Sequence, residues 1–210
     1  MEKMREKRGE KVIYRIVDVA SVAVIALPIT WVFLALRGNW SIKRACLVSV
    51  FAVYLCVMFD VVGIPACQYF RWEPAVNLIP FGDEKSLRFF FQIGMNAVMF
   101  LPFGFLLPVL WESCRSWKVT LLAGFLTSAL IEFLQLFSFR ATDVDDLVMN
   151  TLGAFLGFLL AWVCFHRKWQ KESGNTHLWD MIAAILIPLL VILFLRTPIS
   201  DWIYGLPLFQ

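Results

Sequence analysis

The groups able to do chemistry are concentrated in one run, EFLQLFSFRATDVDDLVMNTLGAFLG, from Glu132 to Gly157. Glu132 and Gln135 stand near the end of one apolar stretch, Arg140, Asp143, Asp145 and Asp146 fill a short polar link, and Asn150 opens the next apolar stretch. Carboxylates, carboxamides and a guanidinium in this order suit three tasks. They can grip the polar headgroup of an amphiphile, hold a divalent cation through oxygen alone, or work as an acid–base pair if two carboxylates sit in different environments. On one helix, at about 100° per residue, Asp143, Asp146, Asn150, Gly153 and Gly157 fall within an arc of about 80° and Asp145 lies on the other side.

Depth sharpens the reading. Glu132 lies about 7–8 Å inside the end of its apolar stretch at about 1.5 Å per residue. An unpaired amide in hydrocarbon costs several kcal/mol and a carboxylate more, so these groups need partners. The nearest candidates are one another, Arg140, and Asn96 at the start of an earlier apolar run. Gly153 and Gly157 form a small-xxx-small pair that admits a second backbone, directly beneath the polar groups. Pro102 and Gly104, which interrupt that earlier run, are the other expected packing positions. A purely structural role also fits, in which the cluster only brackets two helices through hydrogen bonds.

The elements that must position these groups are membrane spans. Hydrophobic residues make up 60% of the 210 and charged residues 17%, whereas soluble domains are nearer ~45–50% and ~25%. The expected fold is all-α, a single polytopic membrane domain over residues 1–210. Apolar runs at Val19–Leu36, Ala45–Ile64, Met95–Trp111, Val119–Phe137, Leu147–Phe165 and Met181–Leu195 predict six spans, with five as the alternative. Arg15 and Asp18, one turn apart, could pair at the entrance to the first. Asp60 is the only charge in the second, and its bland reading is an interfacial acid. Pro102 and Pro108 each free a carbonyl one turn earlier, so the third span should face protein or a cavity. Residues 65–94 are too aromatic for a solvated loop and read as a re-entrant or interfacial segment. Pro74, Pro80 and Gly82 should turn it, and a separate short helix is expected over Ser86–Gln92.

Other classes are disfavoured. The net charge of +3 is modest and its basic residues are dispersed, so nucleic acid is not an expected partner. The five cysteines are scattered and both histidines, His166 and His177, share one link. No zinc site of usual spacing, no catalytic residue and no cofactor is therefore assigned.

Four pieces in series carry a family likeness: NLIPF from Asn77, NAVMFLPFGFLLP from Asn96, EFLQ from Glu132 and RATDVDDLVMNTLGAFLG from Arg140. In order and spacing the chain resembles the VanZ-like family of bacterial membrane proteins over about residues 75–165. Two N-terminal spans over 12–64 and an additional C-terminal span over 178–196 flank that core. The resemblance implies a multi-pass protein of the bacterial cytoplasmic membrane whose relatives lower susceptibility to teicoplanin-type lipoglycopeptides. It supplies no reaction.

Three functions compete. The first is binding or shielding of an amphiphile at the membrane surface, either a lipoglycopeptide or a lipid-linked cell-wall intermediate. Membrane lipids surround it, and Glu132, Gln135, Arg140, Asp143, Asp146, Asn150, Asn96 and Asn77 form its site. The second is a transporter or flippase for a lipid or envelope intermediate, which would use an intramembrane carboxylate and a proline-broken span. An enzyme on a lipid-linked substrate ranks last, because no activated nucleophile stands out.

On orientation the charge rule argues with itself, and the family likeness agrees with the count that leaves out the N-terminal residues. A cytoplasmic N-terminus puts 11 of the 19 basic residues on its own side, but without the N-terminal six the balance reverses to five against eight. The family layout places the Asn77 and Arg140–Asp146 links outside the cell. On that layout, after removal of native thiols, an impermeant reagent applied to intact cells is expected to label cysteines placed at Ala141–Val144 and not at Ser113–Lys118. The reverse pattern would overturn the orientation.

Overall fold

The computed structural model describes residues 2–38, 41–72, 75–77, 87–138, 142–169 and 177–205. Among the described residues six helices are long and apolar enough to cross a membrane. They are α1 (Glu2–Leu36), α2 (Ile42–Val62), α3 (Leu87–Leu110), α4 (Trp117–Gln135), α5 (Val144–Trp169) and α6 (Leu178–Tyr204). Two residue pairs add a minimal parallel ladder, β1 (Val76–Asn77) on β2 (Thr142–Asp143). The six-span, all-helical expectation holds. Two compact units divide the chain, one of residues 1–69 with 183–210 and one of residues 70–182.

In the first unit, helix ends obey local capping. Ser41 Oγ accepts from the Arg44 N–H at the start of α2. Gly63, at φ 73°, ends it with its N–H on the Asp60 carbonyl and that of Ile64 on Phe59. That left-handed closure suits glycine, which has no Cβ to clash. Asp60 meets Arg196 of α6 at 3.6 Å, and Arg196 Nη2 also donates to the Ile64 carbonyl at 3.2 Å. This pairing explains a discrepancy in length. The apolar run ends at Arg196, yet α6 continues to Tyr204, since the guanidinium has both a carboxylate and a carbonyl. The extension is used: Ser200 Oγ and Tyr204 Oη donate to Asp18 Oδ1 at 2.7 and 2.8 Å. Asp18 thus takes its partners from the far end of the chain rather than from Arg15.

The second unit is built on α3, α4 and α5, and α3 against α5 is its most extensive helix contact. A methyl group built on Gly153 or Gly157 would overlap the Ala97 or Leu101 carbonyl, and one on Gly104 would overlap that of Ala154. Ala97 with Gly153 and Leu101 with Gly157 advance together, so the helices run parallel with backbones touching. The three expected packing glycines, Gly104, Gly153 and Gly157, therefore line one crossing, whereas Pro102 lies half-buried within α3. Neither proline breaks α3. The helix also begins at Leu87, so the separate short helix expected over Ser86–Gln92 is instead the first turns of α3. No polar residue from Phe89 to Phe91 breaks it, and Phe90 and Phe91 stay exposed. The turns expected at Pro74, Pro80 and Gly82 lie outside the described residues.

Gly153→Leu and Gly157→Leu are expected to lower the amount of folded protein recovered from membranes. Overpacking costs ~1–3 kcal/mol even where side chains can shift, and here the obstacle is backbone. A leucine tolerated at either position, judged by abundance and melting temperature, would refute the crossing.

Candidate functional site

Asp143 is where the site begins to form. It is not part of α5, as the helical arc supposes, but its N-cap: α5 starts at Val144, and Asp143 Oδ1 accepts from the Asp145 N–H at 3.0 Å. Aspartate favours this position because its oxygen satisfies a donor the first turn leaves open. Asp145 and Asp146 follow in that first turn, where the positive end of the helix dipole favours acids. Asp145, set aside by the arc, is fully buried at 0% exposure. Capping, rather than the angular stripe, decides how these three acids are arranged.

Glu132, 6% exposed near the end of α4, accepts the Asp143 N–H through Oε2 at 3.0 Å. Its own carbonyl takes Thr142 Oγ1 at 3.0 Å. One α4 residue thereby clamps the returning chain, and Thr142 N also bonds the Ala75 carbonyl at 2.8 Å. The short ladder pairs Asn77 with Asp143, and Asn77 Nδ2 reaches Asp143 Oδ2 at 3.3 Å. Asn96 Nδ2 of α3 donates to Asp146 Oδ1. Glu132, Asp143 and Asp146 lie close enough for their charges to interact.

The stripe on α5 serves two neighbours. Asp146, Gly153 and Gly157 address α3, while Asn150 turns to α4, where its Nδ2 donates to Ser128 Oγ at 2.9 Å. Asn150 Oδ1 is buried without a hydrogen-bond partner among the described residues. Gln135 is buried at the end of α4 and is hydrogen-bonded or otherwise engaged. Glu132, Asn77, Asn96, Asp143 and Asp146 thus come together, but Glu132 meets a backbone N–H rather than the expected Asn150 or Asn96 side chain. Arg140 lies outside the described residues. Ser128 and Thr142 escape the sequence reading, which puts Asp145 on the opposite face. A signal existed for the first: Gly124, Ser128, Glu132 and Gln135 make a small-to-polar stripe at helical spacing along α4.

Aromatic rings gather at the same end of α4 as Glu132. Phe137 stacks on Phe70 with centroids 5.2 Å apart and packs against Trp72 at 5.3 Å and Phe133 at 5.6 Å. Trp72 remains 63% and Phe133 54% exposed. Among the described residues no group of three or more His, Cys, Asp or Glu side chains has metal-binding geometry. Cys114, between α3 and α4, has its thiol pushed up to about 12 by burial, so it stays protonated at neutral pH.

An acid–amide cluster clamped at one end of a close-packed helix trio, within a six-span helical chain, defines a multi-pass membrane protein. A family model described as VanZ/LLP1 matches residues 24–165, from within α1 to near the end of α5, and the chain belongs to the VanZ/LLP1 family. It is 29% identical to Protein VanZ of Enterococcus faecium over 122 residues, covering 57% of this chain and 71% of that protein. No solved structure matches the chain.

Glu132→Gln keeps an acceptor for the Asp143 N–H and is expected to change stability by less than ~1 kcal/mol, whereas Glu132→Leu strands that N–H at ~1–3 kcal/mol. Thermal unfolding of the detergent-solubilised protein would separate them. Equal melting temperatures for the two variants would remove the clamp.

Proposed function

We propose that this protein binds an amphiphile at the surface of the bacterial cytoplasmic membrane and thereby lowers susceptibility to teicoplanin-type lipoglycopeptides. The observation that carries this reading is the ring group at the end of α4 that also holds Glu132, where exposed Phe70, Trp72 and Phe133 pack on half-buried Phe137. Rings and carboxylates at one helix end suit a ligand with an apolar chain or aromatic face joined to a headgroup of hydroxyl, amide or amine donors. Arg140, in the same link, supplies the contact for an anionic group on that ligand. A lipid-linked cell-wall intermediate has the same two-part chemistry.

Transport is a weaker reading on physical grounds. A headgroup crossing the bilayer needs a polar path, and the α3–α5 seam has backbone against backbone at Gly104, Gly153 and Gly157. No headgroup passes there without separating the two helices.

The test compares cells carrying the unmodified protein, Trp72→Ala, Asp146→Asn and Arg140→Ala. Each variant is expected to lose protection against a lipidated glycopeptide, and none against a non-lipidated one, at unchanged membrane abundance. Losing one charge-assisted contact of ~1.5–3 kcal/mol corresponds to at least about tenfold in binding. Loss of protein in parallel with protection would make the cluster a scaffold. Absence of protection from the unmodified protein would remove the resistance role.

A further inference from the structure

The opposite end of the same helices carries a second feature. Between the start of α4 and the C-terminal half of α5 lies a groove of about 420 Å³, walled by Trp117, Phe155, Phe158, Leu159 and Trp162 with Arg115 and Ser116 on its rim. That volume is within the ~300–1,000 Å³ of small-molecule sites. Its walls are apolar, and Trp117 and Phe155 fix their shape by an edge-to-face contact at 6.4 Å.

The rim is basic. Arg115 is held there by three contacts: Nη1 donates to the Trp169 carbonyl at 3.4 Å, its guanidinium lies 5.7 Å from the Trp169 ring, and Glu112 is 3.8 Å away. Lys118 stands on the first turn of α4 with its ammonium 5.8 Å from the Trp117 ring. Arg167 and Lys168 occupy the last turn of α5. Ser116 precedes α4 without capping it through its hydroxyl. Glu112 opposes Arg115 at the rim.

We propose that this groove is a binding site for one anionic phospholipid, with an acyl chain against Phe155, Phe158 and Leu159 and its phosphate between Arg115 and Lys118. Two features select that occupant. An aromatic-walled slot opening between spans admits a chain from the bilayer, and indoles at its mouth mark the depth of the headgroups. Fixed positive charge at that depth favours an anionic over a zwitterionic headgroup, about fivefold per basic side chain near the surface. This site lies at the other end of α4 from Glu132 and does not depend on the amphiphile reading above.

The experiment uses the full chain, purified in detergent, stripped of lipid and exposed to equimolar phosphatidylglycerol and phosphatidylcholine, with retained lipid counted by native mass spectrometry. One phosphatidylglycerol per chain is expected to remain while phosphatidylcholine is lost, and soluble glycerol phosphate is not expected to compete. The double variant Arg115→Gln, Lys118→Gln should lower phosphatidylglycerol retention by more than about tenfold. Leu159→Trp, which fills the groove and leaves every charge in place, should lower it as well. This second variant decides the matter if the first does not fold. Equal retention of the two lipids, competition by glycerol phosphate, or retention unchanged in Leu159→Trp would each overturn the proposal.

Discussion

The contact on which most of the second unit depends is the parallel crossing of α3 and α5 with no side chain between them. Carbonyls of Ala97 and Leu101 rest on Gly153 and Gly157, and the Ala154 carbonyl rests on Gly104. In lipid there is no hydrophobic gain from bringing two apolar helices together, so association relies on close packing and on weak Cα–H contacts to carbonyls. Glycines at helical spacing supply both. Once that register is set, Asn96 meets Asp146, and β1 pairs with β2 directly ahead of α5.

A second constraint is the cost of polarity in hydrocarbon, and the chain meets it by pairing across large sequence distances. Asp60 with Arg196, Asp18 with Ser200 and Tyr204, and Asn150 with Ser128 each join different helices. These pairs fix rotation and register, for a helix that turned by one residue would leave a charge or amide in lipid. They also let helices run further than their apolar stretches. The charged α6 residue that ends the apolar run is tolerated because its partner waits on α2. Specificity of assembly in such a chain is carried more by the few polar residues than by the many leucines.

The α3–α4–α5 trio is chemically asymmetric along its length. At one end, where α4 finishes and α5 begins, carboxylates and carboxamides gather. At the other, Arg115 rims an apolar groove, Lys118 lies over the ring of its Trp117 wall, and Arg167 and Lys168 close the last turn of α5. The two ends share helices but no residues. On α5 the contrast follows the helix dipole, for acids follow its N-cap and bases close its last turn.

Periodicity and composition by themselves determined the class of protein, and they pointed to six spans over five and to close packing at Gly153 and Gly157, because long apolar runs have few fates and glycine pairs have few uses in a membrane. The family likeness was equally legible, since four short motifs keep their order. Partner choice was decided only by the tertiary structure. That Glu132 would grip a backbone N–H, that Asn150 would turn to Ser128 rather than join the acids, and that Asp145 would be the most buried of three neighbouring aspartates depend on a cap one residue before the helix. The true ends of α3 and α6 were likewise hidden. Helix length in lipid depends on whether a charge finds a partner, and here the partners lie on other helices, beyond the reach of any local pattern.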